Sequence, residues 1–359
     1  MRPWIGLLGL LLLAGCGGGG ETKTETAGTA GTPPPTAQGE RKLNIYIWTN
    51  YLPADVVADF EKRTGIETRV DTYDSNETLL AKLQSGVADY DLVVPSDYML
   101  KVMIPQNLLR EIDRSRLPGF ANLDPRFLDR KFDPANRHSI PYLWGTTGIG
   151  YDTTKVKGPV SWALLFDQRH AGRILMLDDV REAFAATLKL MGKSANETDP
   201  AVLRQAAERL KQQKRLVRTY NSSDFATLLA AGDVDVAHGW NGELAEAAEE
   251  SQGKLAYAVP QEGGTLWIDS LVMPAGAKNL DAAYEFLQFV LQPEIAARIV
   301  NDVHYAGANK AALEKIDPAI RNNPAIYPPQ DVLNRCEFLE DLGETTQLLD
   351  ELWTEIKAQ

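Results

Sequence analysis

From Arg41 onward, short apolar runs alternate with stretches in which apolar residues recur every three or four positions, the two periods that mark strands and helices. The run LNIYIW (43–48) predicts a strand. Residues 53–65 predict a helix, with Pro53 in its first turn and Gly65 just past its end. IETRVD predicts a second strand, residues 76–86 a helix closed by Gly86, and YDLVVP a strand that stops at Pro95. A second unit of the same kind follows. It has a strand at 173–179 (RILMLDD), helices at 180–192 and 224–232, a strand at 233–240 (DVDVAHGW), and a helix in ELAEAAEES. Then come a strand in GGTLWIDSLVMP (263–274), helical turns either side of Pro293 within 280–301, and a terminal helix in TTQLLDELWTEIKAQ. Such alternation predicts an α/β protein with parallel strands and right-handed crossovers. No repeat of 20–50 residues is visible, which excludes a solenoid.

The strand at 263–274 carries a discordant pair. Leu266, Ile268, Leu271, Val272 and Met273 suit a buried strand, yet Trp267 and Asp269 sit two apart and so point to one face. Two readings are open: an ion pair with an arginine of a neighbouring element, or a pocket wall that offers a ring face and a carboxylate to a cation. Other unusual residues fall where ligands bind in open α/β sheets, beyond the carboxyl ends of strands. Trp48 ends the first strand, with Tyr51 shortly after. Ser96 and Tyr98 follow the third, Asp178 and Asp179 end RILMLDD, and Trp240 ends DVDVAHGW. Each has a plainer role available. Trp48 and Tyr51 could pack under the next helix, and Asp179 with Glu182 has the D-x-x-E form of a capping box. Trp240 to Glu243 could be a simple strand-to-helix turn, and Tyr305 lies in a loop. GTTGIG (145–150) has glycine spacing reminiscent of a nucleotide loop but no amphipathic helix after it, so nucleotide binding is not expected.

At 359 residues the chain has room for two domains. Its net charge of −12 argues against nucleic acid and is compatible with cationic ligands. The N-terminus reads as an export signal over residues 1–15: Arg2, then an apolar run from Ile5 to Leu13 too short to span a bilayer. It ends in LLAGC, which resembles the lipobox of bacterial lipoproteins, with cleavage before Cys16 and lipid on its thiol. Residues 16–40, rich in Gly, Thr, Ala and Pro, predict a disordered tether. Cys336 is then the one remaining thiol, expected to be a small buried hydrophobe without a disulfide partner. His138, His170, His238 and His304 lack metal-ligand spacing and are expected at the surface or as satisfied core residues. No hydrolase, zincin or Walker motif occurs, and no cofactor is expected.

Aromatic residues and carboxylates gathered at strand ends, with few basic residues among them, suit one ligand chemistry in particular. A primary alkylamine is protonated at neutral pH, with a pKa near about 10.4. Each ammonium needs a carboxylate when it leaves water, and the methylenes between need apolar or aromatic walls. A phosphate, sugar acid or nucleotide would be poorly served.

The blocks YIWTNYLP, YDSNETLLAKL, YDLVVPSDY, SIPYLWGTTGIGYD, LDDVREAF, GWNGE and EGGTLWIDSLVMPAGAKN occur in this order. Together they resemble the bacterial spermidine/putrescine-binding proteins of ABC importers, from about Leu43 to the C-terminus. The resemblance implies a two-lobed periplasmic-binding-protein fold of type II. Each lobe would be a mixed, mainly parallel sheet flanked by helices, with the ligand cleft between lobes and closure at a hinge. It places residues 41–146 and 270–318 in one lobe, and 147–269 and 319–359 in the other. It also implies a polyamine box: Trp48 and Tyr51 as a first aromatic pair, Ser96 and Tyr98 beside them, and Asp179 and Glu182 as acids. Trp240, Trp267, Asp269 and Tyr305 would complete the wall. The partners implied are a polyamine, an ABC permease with its ATPase, and the membrane through the lipid anchor, the protein itself being a monomer and not an enzyme.

The chain departs from the family pattern at three points. Asn50 stands where an acid often precedes the first tyrosine. Glu243 stands where spermidine-type members often have a small residue and putrescine-type members an acid. Leu339 replaces a polar amide. These leave the choice between spermidine and putrescine open. Other readings compatible with the motifs are a same-fold binder of another solute, a polyamine sensor for a receptor, and an enzyme acting on polyamines.

Overall fold

The computed structural model describes residues 41–86 and 89–358; the expected signal peptide, Cys16 and the expected tether lie outside them. The first half opens with β1 (Lys42–Trp48), α1 (Ala54–Thr64), β2 (Glu67–Tyr73), α2 (Asn76–Gln84), β3 (Leu92–Val93) and α3 (Asp97–Met103). After irregular and 3-10 segments comes the long β4 (Ser139–Asp152), then β5 (Ile174–Met176), α4 (Val180–Leu190), α5 (Pro200–Lys214) and β6 (Val217–Tyr220). Next are α6 (Phe225–Ala230), β7 (Val236–Trp240), α7 (Asn241–Glu250), β8 (Leu255–Ala258) and β9 (Thr265–Val272). The chain finishes with α8 (Leu280–Val290), α9 (Pro293–Val303), β10 (Ala306–Gly307), α10 (Pro318–Arg321), α11 (Gln330–Leu333), β11 (Glu337–Phe338) and α12 (Thr345–Ala358).

The local signals work as the chemistry requires. Pro53 precedes α1 in an extended conformation, and Gly65 closes it at φ 69°, a left-handed position where a side chain would be strained. Asp179 caps α4, its carboxylate accepting from the Glu182 N–H. Pro293 starts α9 and so divides the helical turns of 280–301 into two helices.

The strands form one curled sheet in the order β2-β1-β3-β9-β4-β7-β5-β6, with β8 and β10 paired to β4 and β11 to β9. Pairing is parallel within the two outer groups, β2-β1-β3 and β7-β5-β6. In the middle it is antiparallel: β9 runs against β3 and β4, and β4 against β7. The sheet is thus mixed, with the parallel pairs that βαβ alternation predicts on the outside and antiparallel pairs at the centre. Strand β4 is the reason. Its first half pairs with β9 as far as Thr147, and its second half pairs with β7 and β8. Apolar residues of β1, β3, α1, α3, α8 and α9 share one core, whereas β5, α4, α5 and α12 share another, with a smaller cluster under β7, α6 and α7. The molecule is a two-lobed mixed α/β protein whose lobes share β4 and β9.

Two expected strands are shorter than the apolar runs suggest. YDLVVP contributes only Leu92 and Val93. The Asp91 N–H still donates to the Asn44 carbonyl at 2.7 Å, but the Asn44 N–H goes to the Asp91 carboxylate at 2.9 Å, which also binds Asn279, while Pro95 has no N–H to offer. RILMLDD contributes Ile174–Met176, and the Asp178 N–H turns to the Ser222 hydroxyl at 3.0 Å. Helix α5 carries an N-terminal signal, Asp199-Pro200, to which the periodicity reading assigned no element; Asp199 accepts from the Ala201 N–H at 2.8 Å.

Candidate ligand-binding site

Asp269 sits on β9 beside Ser96, the two residues forming an antiparallel bridge. Its carboxylate accepts from the Ser96 hydroxyl at 2.6 Å and the Tyr51 hydroxyl at 2.7 Å. Among the described residues no arginine or lysine pairs with it, so the ion-pair reading of the LWIDS stretch is set aside. Burial pushes its pKa up to about 7, and the two hydroxyl donors oppose that rise.

Trp267 lies two residues earlier on the same face. Its ring meets Tyr305 edge-on at 5.5 Å, and among the described residues its indole N–H has no partner. The glycines of GTTGIG belong to β4, where Gly145 stands opposite Trp267. A Cβ there would come within 2.6 Å of the Trp267 ring, so glycine is what lets the indole lie against the strand.

Glu243, in the first turn of α7, accepts from the Tyr305 hydroxyl at 3.0 Å and the Asn50 amide at 3.1 Å. Burial raises its pKa to about 7. Trp240, just before α7, meets Trp48 edge-on at 5.8 Å, and the Trp48 indole donates to the Val94 carbonyl at 2.9 Å. Asn50, where an acid was the family norm, thus supports an acid from the opposite side.

On α4, Asp179 is both a helix cap and a cavity carboxylate. The second half of a capping box is not made. Glu182 turns its carboxylate to the hydroxyls of Thr147 (2.9 Å) and Thr265 (2.8 and 3.0 Å) instead. Burial, followed by the neighbouring Asp179, pushes Glu182 up to about 8. Tyr98 stands opposite on α3. Its hydroxyl donates to Glu77 at 3.1 Å, and the Asn76 amide donates both to it and to the Ser96 hydroxyl. Glu77, raised to about 7 by burial and by Asp179, ends a hydrogen-bonded chain that starts at Asp269.

Trp48, Tyr51, Ser96, Tyr98, Asp179 and Glu182 therefore line a single cleft with Trp240, Glu243, Trp267, Asp269 and Tyr305. The cleft encloses about 630 Å³ when space open to solvent is counted. Sequence reasoning missed Thr49, Tyr73, Asp74, Asn76 and Ser222, which also line it. The strand-end rule that selected Trp48 would have selected Tyr73, the last residue of β2. Leu339 lines the cleft as an apolar wall. In all, the lining holds five carboxylates and seven Trp or Tyr rings and, among the described residues, no lysine or arginine. Such a surface favours a cation with an apolar body.

The family model described as bacterial extracellular solute-binding protein matches residues 55–328. The chain belongs to this family. It is 37% identical over 325 residues to the spermidine/putrescine-binding periplasmic protein of Escherichia coli K12, covering 90% of this chain and 93% of that one. It is also 37% identical over 343 residues to the putrescine-binding periplasmic protein PotF of the same organism, covering 90% and 93%. Among solved structures, the spermidine/putrescine ABC transporter substrate-binding protein PotD of Streptococcus pneumoniae superposes with a TM-score of 0.74 at 32% identity, covering 89% and 99%. For a member of this solute-binding family, a cleft between lobes is the expected ligand position.

Cys336 is half-buried rather than buried, its thiol 3.5 Å from the Val332 carbonyl. His238, on β7, is neither at the surface nor satisfied. Both ring nitrogens are buried without partners among the described residues, Trp162 packs edge-on at 5.4 Å, and burial lowers its pKa to about 3, which keeps it neutral. No helix of the described residues is long and apolar enough to cross a membrane.

Proposed function

We propose that this chain is an extracytoplasmic, lipid-anchored binding protein that captures a polyamine, spermidine or putrescine, and hands it to an ABC importer. The observation that carries this reading is the cleft lining, with five carboxylates and seven aromatic rings on walls contributed by both lobes and, among the described residues, no cationic side chain. Tryptophan and tyrosine faces would run along the methylenes, and Asp269, Glu243 and the Asp179–Glu182 pair would receive the ammoniums. Protein function here would involve no bond making. Ligand bridging the two walls favours the closed arrangement over the open one, and the permease reads that difference. The names of the relatives, periplasmic binders of spermidine and putrescine, support the same cargo and the same compartment.

Calorimetric titration of the chain from Arg41 with putrescine, cadaverine, spermidine and spermine tests the reading. Putrescine or spermidine should bind with micromolar or tighter affinity, about −8 kcal/mol or better, and acetylation of the amines should abolish binding. Binding of an uncharged or anionic solute in place of both amines would overturn it.

The anchor is a separate part of the proposal and rests on LLAGC and the Gly/Pro-rich stretch after it. We expect Cys16→Ser to move the protein from the membrane fraction to the soluble fraction with unchanged ligand affinity. Fractionation showing undiminished membrane retention of that variant would count against lipidation at Cys16.

A further inference from the structure

We propose that Arg181 is a resident cation that limits the Asp179–Glu182 end of the cleft to a single ligand ammonium, and thereby tunes the choice between a diamine and more highly charged amines. The inference rests on the polyamine reading and concerns a residue outside the cleft lining.

Arg181 is the second residue of α4, between the two acids in sequence, and is only 3% exposed. Its guanidinium reaches across to the other lobe, 5.1 Å from the centroid of the Tyr98 ring. Its one hydrogen bond among the described residues goes to the Asn196 side-chain carbonyl at 3.3 Å. It makes no close ion pair there, although Glu77, Asp97, Asp179 and Glu182 all lie within its electrostatic reach, as does Asp350 on α12. A guanidinium locked into a bidentate carboxylate pair would have its field cancelled locally. One held by a ring face and an amide keeps its charge available to everything around it.

Hydrogen bonds and ring contacts set the order of the acids along the cleft. Glu243 is joined through Tyr305 and Tyr51 to Asp269. Asp269 is joined through Ser96, Asn76 and Tyr98 to Glu77, and Tyr98 touches Arg181. At the Arg181 end, three carboxylates, Glu77, Asp179 and Glu182, therefore face one fixed positive charge. One incoming ammonium leaves at most one negative charge in this group, and less at neutral pH because burial raises Glu182 to about 8. A further positive charge would face Arg181 through poorly screened space, which costs about tenfold or more in affinity. Glu77 is the carboxylate that offsets Arg181 from the opposite lobe, so removing either charge should shift selectivity in opposite directions.

The test is the ratio of putrescine Kd to spermidine Kd, with spermine as a third ligand, measured on the full-length protein. R181Q should raise that ratio, in favour of the triamine, by about tenfold or more. R181K, which keeps the charge, should leave it within about threefold of the parent. E77Q should move it by about threefold or more toward the diamine, and R181Q/E77Q should return it toward the parent value. E77Q and the double variant remain informative even where R181Q alone does not fold. A ratio unmoved by R181Q or E77Q while melting temperature falls would assign both residues a structural role and overturn the inference. An equal shift in R181K and R181Q would do the same. If the unaltered protein binds no polyamine, the underlying reading fails and this inference with it; binding with an unmoved ratio sinks only the inference.

Discussion

Replacing Asp269 by Asn is expected to weaken polyamine binding by roughly 30-fold to several thousand-fold while leaving the melting temperature unchanged or higher. Losing one member of a buried charge pair typically costs about 2–5 kcal/mol, and each 1.4 kcal/mol is about tenfold. The partner stranded here would be the ligand's ammonium. The fold should tolerate the change. Ser96 and Tyr51 are hydroxyls, and each can either donate to or accept from an amide, so Asn can keep both contacts made at 2.6 and 2.7 Å. Loss of an internal ion pair is not at stake, because none reaches Asp269 among the described residues. Burial already holds its pKa near about 7, so the unliganded protein gains little from the ionised form. Affinity and melting temperature should be measured on the same sample. A lowered melting temperature with affinity intact would assign Asp269 a structural role and remove the centre of the proposed site.

Lowering the pH from 8 to 6 is expected to cost about tenfold to a hundredfold in polyamine affinity, with protons released on binding. Asp269 and Glu243 are raised to about 7 and Glu182 to about 8, in each case chiefly by burial. The ligand's ammoniums titrate near about 10.4 and stay charged throughout this range. An ammonium favours the ionised carboxylate, so binding lowers these raised pKa values and expels protons. Affinity is full above them and is lost as pH falls through about 8 to 7, at up to about tenfold per unit for each proton that must leave. Stability of the free protein has the opposite sign. A folded-state pKa above the unfolded value gives stability that is present at low pH and lost as pH rises through the folded value. The free protein should therefore melt lower at pH 8 than at pH 6, and the increase in melting temperature given by ligand should be larger at pH 8. Titration calorimetry in two buffers of different ionisation enthalpy reads the released protons directly. A dissociation constant that is flat between pH 6 and 8, with no buffer dependence of the heat, would show that the cleft carboxylates are ionised before ligand arrives.

Much of the candidate site was legible because it is built from strand and helix ends, which local chemistry marks. Trp48, Ser96, Asp179 and Trp240 each close a strand or open a helix, and Trp267 and Asp269 share a face by strand periodicity alone. Apart from Tyr73, which the strand-end rule would have selected, the hardest residues to find are those whose role depends on a neighbour distant in sequence. Glu77 looks like an ordinary acid in the first turn of α2. Only the approach of Tyr98, 21 residues on, and of Asp179 in the other lobe makes it part of the cleft network. Arg181 reads as a surface charge between two acids until Tyr98 is placed over it.

What the sequence by itself determined is therefore local. It set the helices with their Pro and Gly boundaries, the cap at Asp179, the supply of acids and rings, and, through blocks spread along the body, the family. Tertiary structure alone decided the rest. It made β4 and β9 the antiparallel strands shared by both lobes, cut YDLVVP to two residues, and gave Glu182 to two threonines instead of to its own helix. It also left Asp269 with hydroxyl partners rather than an arginine. The physical reason is common to all of these. A strand's neighbours and a buried carboxylate's partners come from segments tens to hundreds of residues away, and periodicity within one segment carries no information about them.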